Sequence, residues 1–131
     1  MAKAVGVGGV FLRSKDPKAL YAWYAEHLGL SASPDDTFLF DGVQSPGITV
    51  VAFFPLETEY FGPGGQRAML NFRVDDLEGV LHSLGSAGVS VDARREQYDY
   101  GRFGWFTDLE GNRVELWQPQ DAQVTVKPLI S

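Results

Sequence analysis

The chain writes one order of elements twice, and few folds accommodate such a duplication in 131 residues. Val5 to Ser14 is an apolar run with β-branched and aromatic residues, and it reads as a strand. Asp16-Pro17 follows. An aspartate there accepts a free backbone N–H of a helix's first turn, and proline fits where that turn has no hydrogen bond to lose. Leu20, Trp23, Tyr24 and Leu28 recur at helical spacing, and Gly29 ends the helix. Phe38 to Phe40 and Ile48 to Phe54 read as strands, with turns at Asp41-Gly42 and Pro46-Gly47. A poorly marked strand lies near Ser31 to Ser33.

The order then begins again. Ala68 to Val74 is a strand with an arginine near its end (Arg73), as in the first copy (Arg13). Asp75 or Asp76 caps a helix striped by Leu77, Val80, Leu81 and Leu84 and ended by Gly88. Val89 to Ala93 starts a strand, and Phe103 to Thr107 with Arg113 to Trp117 form a hairpin. The reading is an α+β fold of two βαβββ repeats, forming curved mixed sheets around a cup. One domain spans residues 1–131. Repeat one covers about 5–54, a linker about 55–66 and repeat two about 67–118, with a C-terminal tail at 119–131. Concave mixed surfaces of this kind are where small ligands bind.

Two stretches resemble a known family. One is Val10-Phe11-Leu12-Arg13-Ser14-Lys15-Asp16-Pro17 leading to Trp23-Tyr24 and Leu28-Gly29-Leu30. The other is Asp108-Leu109-Glu110-Gly111-Asn112-Arg113-Val114-Glu115-Leu116-Trp117. Together they resemble the vicinal oxygen chelate superfamily, also called the glyoxalase/bleomycin-resistance/dioxygenase superfamily. Leu109 stands where that family's signature usually has proline. The resemblance implies the duplicated fold. For function it implies several classes, because the fold hosts lyases, isomerases, dioxygenases and drug-binding proteins.

Many members hold a divalent metal as a Lewis acid on His or Glu ligands, one from each of four strands. The resemblance places those positions at Gly9, within Val50 to Phe53, at Met69 and at Glu115. Only Glu115 can ligate. Glycine has no side chain, and a thioether is a poor ligand for a hard cation. No metal or other cofactor is therefore expected, and a divalent metal on substitute ligands such as Glu96 or Asp99 is disfavoured. His27 and His82 lie on helices and supply nothing to the site.

Glu115 is a candidate general base or an acceptor for a ligand N–H; the plainer reading is an inward carboxylate held by Arg113 or Arg102. Tyr98, Tyr100, Arg102 and Trp105 form a stretch of recognition chemistry, read as a ligand wall or flap; cross-strand aromatic packing is the alternative. Asn71 shares an inner face with Met69 and is a candidate ligand contact or a structural amide. Phe11 would floor the cup, with core packing as its commoner role. Phe53-Phe54-Pro55 and Tyr60-Phe61 are read as core, dimer contact or pocket lip.

Charge and composition narrow the partners. Net charge is −6, and the 11 basic residues are scattered. That argues against nucleic acid, which needs clustered cations. No run reaches the roughly 18 apolar residues of a membrane span, and the N-terminus has no secretory core. Without cysteine there is no disulfide framework, which suits a cytoplasmic protein. The expected partner is a small molecule, and the resemblance implies a homodimer. Three functions remain open: a small-molecule binder without the family metal; a lyase or isomerase of the glyoxalase type, metal-dependent or using Glu115 as base, with dioxygenase less favoured; and an interaction module with a vestigial cup.

Overall fold

A computed structural model describes residues 10–31, 37–40, 47 and 49–120. Its elements are α1 (Pro17–Leu28), β1 (Asn71–Arg73), α2 (Leu77–Ser86), β2 (Glu96–Tyr98), β3 (Gly101–Thr107) and β4 (Arg113–Pro119). Both helices start as their caps dictate. Asp16 accepts from the Ala19 N–H at 3.2 Å, and Asp76 accepts from Gly79 N–H at 3.1 Å. At the far end of α1, Gly29 takes the left-handed conformation at φ 71°, which a side chain would disfavour.

Four strands form one mixed sheet in the order β1-β4-β3-β2. β1 runs parallel to β4, with Asn71 opposite Glu115, and β3 pairs antiparallel with both neighbours. Side chains alternate between faces along each strand. Leu77, Leu81 and Leu84, one stripe of α2, pack on Phe106, Val114 and Leu116 to make the larger core. Gly104 permits this close approach, since a Cβ there would lie 2.6 Å from Leu81 Cδ1. The helix α1 joins the same face, where Trp23 stacks on Phe106 and Tyr24 meets Phe72. The opposite face carries a second cluster of Phe103, Trp105 and Trp117, with Tyr60 and Met69 against it.

The second repeat keeps the expected order of strand, helix and three strands, but the strand after its helix lies at Glu96–Tyr98 instead of Val89 to Ala93. The strand expected over Ala68 to Val74 is ladder-paired only at Asn71–Arg73. Val89 to Ala93 contributes one bridge, Val91 to Phe106. In the first repeat, residues 10–14 and 49–54 form no strand, and Phe38 makes only an isolated bridge. A strand needs a partner to satisfy its N–H and C=O groups, whereas a capped helix satisfies its own. The turns expected at Asp41-Gly42 and Pro46-Gly47, the strand near Ser31 to Ser33 and the tail beyond residue 120 fall wholly or largely outside the described residues. Among the described residues, no helix is long and apolar enough to cross a membrane.

Candidate functional site

Glu115 is the buried charge of the face opposite the helices. It sits mid-strand on β4 and is 7% exposed. Three neutral groups donate to it. Asn71 Nδ2 reaches Oε1 at 2.7 Å, while Tyr60 Oη at 2.5 Å and Trp105 Nε1 at 3.0 Å reach Oε2. The register explains two of the donors, because Asn71 and Trp105 lie directly opposite Glu115 on either side. Tyr60 comes from the linker. Its ring meets Trp105 edge-on and stacks on Phe54. Burial raises the Tyr60 pKa well above its ordinary 10.0, and the bond to Glu115 adds to the rise.

Among the described residues no arginine bonds this carboxylate, contrary to the plainer sequence reading. Arg113 instead bonds Asp92 at 3.1 Å and lies 5.2 Å from the Trp105 ring centre. Arg102 turns to the helix face and meets Glu78 at 3.2 Å. It therefore leaves the ligand wall proposed for it, since strand alternation puts it on the side away from Phe103 and Trp105. Trp105 does face Glu115 but has no exposed surface, so it supports the group from beneath. Phe11 is 95% exposed and floors nothing in this chain.

Tyr98 and Tyr100 form the rim of the same face. Their rings are 5.3 Å apart and nearly parallel, and both meet Phe103 edge-on. Phe103 stacks in turn on Trp117. The sequence-derived residues Asn71, Trp105 and Glu115 thus converge; Tyr98 and Tyr100 sit on the same face further along, while Arg102 and Phe11 lie elsewhere. Tyr60 joins the group from a loop, where no periodicity reveals which way a side chain points. A cleft of about 250 Å³ lies on the other side, lined by Leu28, Leu30, Phe40, Phe72 and Val80, and its lining does not include Glu115.

The glycine-containing hairpin after β3 is an architectural clamp. Asp108 accepts from Tyr24 Oη at 2.8 Å and from the backbone N–H groups of Glu110 and Asn112. Glu110 accepts from Ser14 Oγ and from the N–H groups of Lys15 and Asp16. The first repeat's helix is tied to the second repeat's hairpin at both points.

The sequence matches the glyoxalase-like domain family over residues 9–117. The chain belongs to that family. Among solved structures, this glyoxalase-like chain is similar to TnmS3, an antibiotic binding protein from Streptomyces sp. CB03234. Identity is 26%, 91% of this chain and 100% of that one are covered, and the TM-score is 0.57. It also shares its fold with a glyoxylase/bleomycin resistance protein/dioxygenase domain from Frankia sp. EAN1pec, at 17% identity, 90% and 100% coverage and a TM-score of 0.53. No curated protein matches the chain.

The family's metal fits these side chains poorly. No group of three His, Asp or Glu residues is placed to hold an ion among the described residues. Of the corresponding positions, Met69 offers a thioether, 50–53 offer only apolar side chains, and Gly9, outside the described residues, has no side chain. At Glu115 the neighbours are O–H and N–H donors, so a cation would have to displace Tyr60 or Asn71 to reach the oxygens.

Proposed function

We propose that this glyoxalase-like chain binds a small organic molecule of antibiotic type on the face bearing Glu115, and does so without the family metal. The observation that carries the reading is the similarity to an antibiotic-binding protein over its whole length. The site chemistry supports it. Glu115 is preorganised by three donors, and Asn71, which holds one of its oxygens, is itself exposed to solvent. In this reading Asn71 and Glu115 form the polar end of the site, and Tyr98, Tyr100, Phe103 and Trp117 form its aromatic end. Binding is expected in a homodimer, because Phe11 and Phe53, both 95% exposed, leave apolar surface that a second copy would cover.

A vestigial cup, in a chain that serves as an interaction module, is the second reading. The full burial of Trp105 and the saturation of Glu115 favour it, because they leave little space at the family's reaction centre. A lyase or isomerase using Glu115 as base would first have to break its contact with Tyr60. Equilibrium dialysis against bleomycin and a panel of aromatic antibiotics, in EDTA, separates these readings. Saturable binding with the ligand recovered unchanged by mass spectrometry supports the binder. Binding of none overturns it in favour of the interaction module, and a converted ligand overturns it in favour of an enzyme.

A further inference from the structure

We propose that Tyr60 is a gate: the strap of residues 55–61 lifts from the sheet about the glycine turn at 62–65, and a hydrogen-bond donor of the ligand, an O–H or N–H, replaces the Tyr60 hydroxyl on Glu115. The inference rests on the binding reading above. It adds how the ligand reaches Glu115 and which group it presents there.

The strap is built to move as a unit. Thr58 N–H donates to the Pro55 carbonyl and Gly62 N–H to the Glu59 carbonyl, both at 3.0 Å, and Tyr60 N–H donates to Thr58 Oγ1 at 3.2 Å. Phe54 stacks on Tyr60 and meets Phe61. All of these contacts survive when the strap leaves the sheet. Among the described residues, two hydrogen bonds cross from the strap to the sheet: Tyr60 Oη to Glu115, and Arg113 Nε to the Tyr60 carbonyl at 3.3 Å. Beyond the turn the chain is anchored. Gln66 Oε1 accepts from the Arg113 N–H at 2.7 Å, and Gln66 Nε2 donates to the Arg113 carbonyl at 2.9 Å. Between anchor and strap, Gly62 and Gly65 have φ 85° and 75°, which glycine adopts without strain. A Cβ on Gly64 or Gly65 would meet nothing within 4 Å, so the turn has room to rotate as a hinge. At Gly62 a Cβ would lie 2.7 Å from Arg113 Cδ, so glycine there lets the strap close down on β4.

The closed strap fills one position on a carboxylate that is otherwise already held. Asn71 donates to Oε1 and Trp105 to Oε2, and both stand on strands paired with β4. They stay when Tyr60 leaves, so Glu115 keeps its orientation and offers one acceptor position at Oε2. A donor fits that position and gains a charge-assisted bond. A ligand carboxylate or carbonyl there would face the charge of Glu115 with no proton to share. The closed form is the major one, and the ligand's apparent affinity is reduced by the fraction of chains that are open.

Hydrogen exchange of the Trp105 indole N–H, read by NMR on the full chain, tests the gate without a ligand. The Glu115 N–H, bonded to the Leu70 carbonyl at 2.9 Å, reports unfolding of the sheet. After correction for intrinsic rates, the indole should exchange faster than this amide, through an opening that low urea leaves unchanged. In Tyr60→Phe it should exchange about fivefold faster again, the effect of one ordinary hydrogen bond. Exchange in step with the Glu115 amide and with the same urea dependence, or no acceleration in Tyr60→Phe, overturns the gate. The donor is tested with p-cresol, the tyrosine side chain as a free molecule, against toluene, which lacks the hydroxyl. In Tyr60→Ala, p-cresol should raise the melting temperature more than toluene does; an equal effect of the two, or none, overturns the assignment of a donor. An antibiotic that binds in the dialysis above should bind Tyr60→Phe about fivefold more tightly, because more chains are open. Unchanged affinity overturns the gate and leaves the binding reading standing. If no antibiotic binds, that reading fails, and the exchange experiment still decides the gate.

Discussion

At the scale of single residues, Glu115 is held by Tyr60, Asn71 and Trp105, and the energetics follow from counting those bonds. Glu115→Ala leaves three donors without their acceptor. At about 1 kcal/mol per bond, the loss should be on the order of 3 kcal/mol in urea unfolding. Tyr60→Phe removes one bond and should cost about 1 kcal/mol. Tyr60 and Tyr24 also predict an alkaline signature. Burial is the main cause of the raised pKa of each, with a carboxylate neighbour second. A raised folded-state value means that the stabilising contribution is complete below the unfolded value near 10.0 and is lost as pH rises above it. Tyrosinate absorbance should therefore appear in two stages, with Tyr24 and Tyr60 ionising only as the chain unfolds. A single stage below the unfolding transition would count against their burial. Glu115 is legible in the sequence from its family position and Asn71 from strand alternation with Met69, whereas Trp105 stands out only by residue type. Arg102 faces away from Glu115 by parity, since it lies an odd number of residues from Trp105 on one strand. Tyr60 was not legible, because a linker imposes no period on its side chains.

At the scale of elements, local signals mark the helices and the hairpin, while strand pairing does not follow from them. Asp16-Pro17 and Gly29 bracket α1 as their capping chemistry requires, and Asp76 starts α2. The hairpin from Phe103 to Trp117 was recognisable from its turn residues. The strands expected in the first repeat depend on distant partners, and apolar character alone does not supply the register. Two clamps join the repeats, and both can be tested. Tyr24→Phe removes a buried donor to Asp108 and should lower stability by about 1 kcal/mol. Glu110 has its pKa lowered, chiefly by the Ser14 hydroxyl; desolvation opposes this, and the Lys15 and Asp16 backbone donors and the Lys15 charge add to the lowering. A lowered folded-state value gives a contribution complete above the ordinary 4.5 and lost as pH falls below it. Stability should fall less steeply with acid in Glu110→Gln than in the wild-type chain. Identical acid slopes would remove Glu110 from the clamp.

At the scale of the whole molecule, exposed apolar side chains from the first half of the chain accompany a well-packed second repeat. Phe11, Leu39, Phe53 and Leu56 all lie open in the single chain. Sedimentation should find a dimer, and Phe11→Asp with Phe53→Asp should weaken association at least tenfold, since charges replace two rings that the dimer would bury. A wild-type monomer at all concentrations would leave this surface without the proposed partner. The account as a whole rests on Glu115 being satisfied by protein donors instead of by a metal. The direct test is metal content after tag-free purification, followed by titration of Ni²⁺, Zn²⁺, Mn²⁺ and Fe²⁺ against the melting temperature. Ligands of the folded state raise that temperature by mass action. The account predicts no stoichiometric metal and no rise at equimolar ion. A stoichiometric metal that disappears in Glu115→Ala would contradict it.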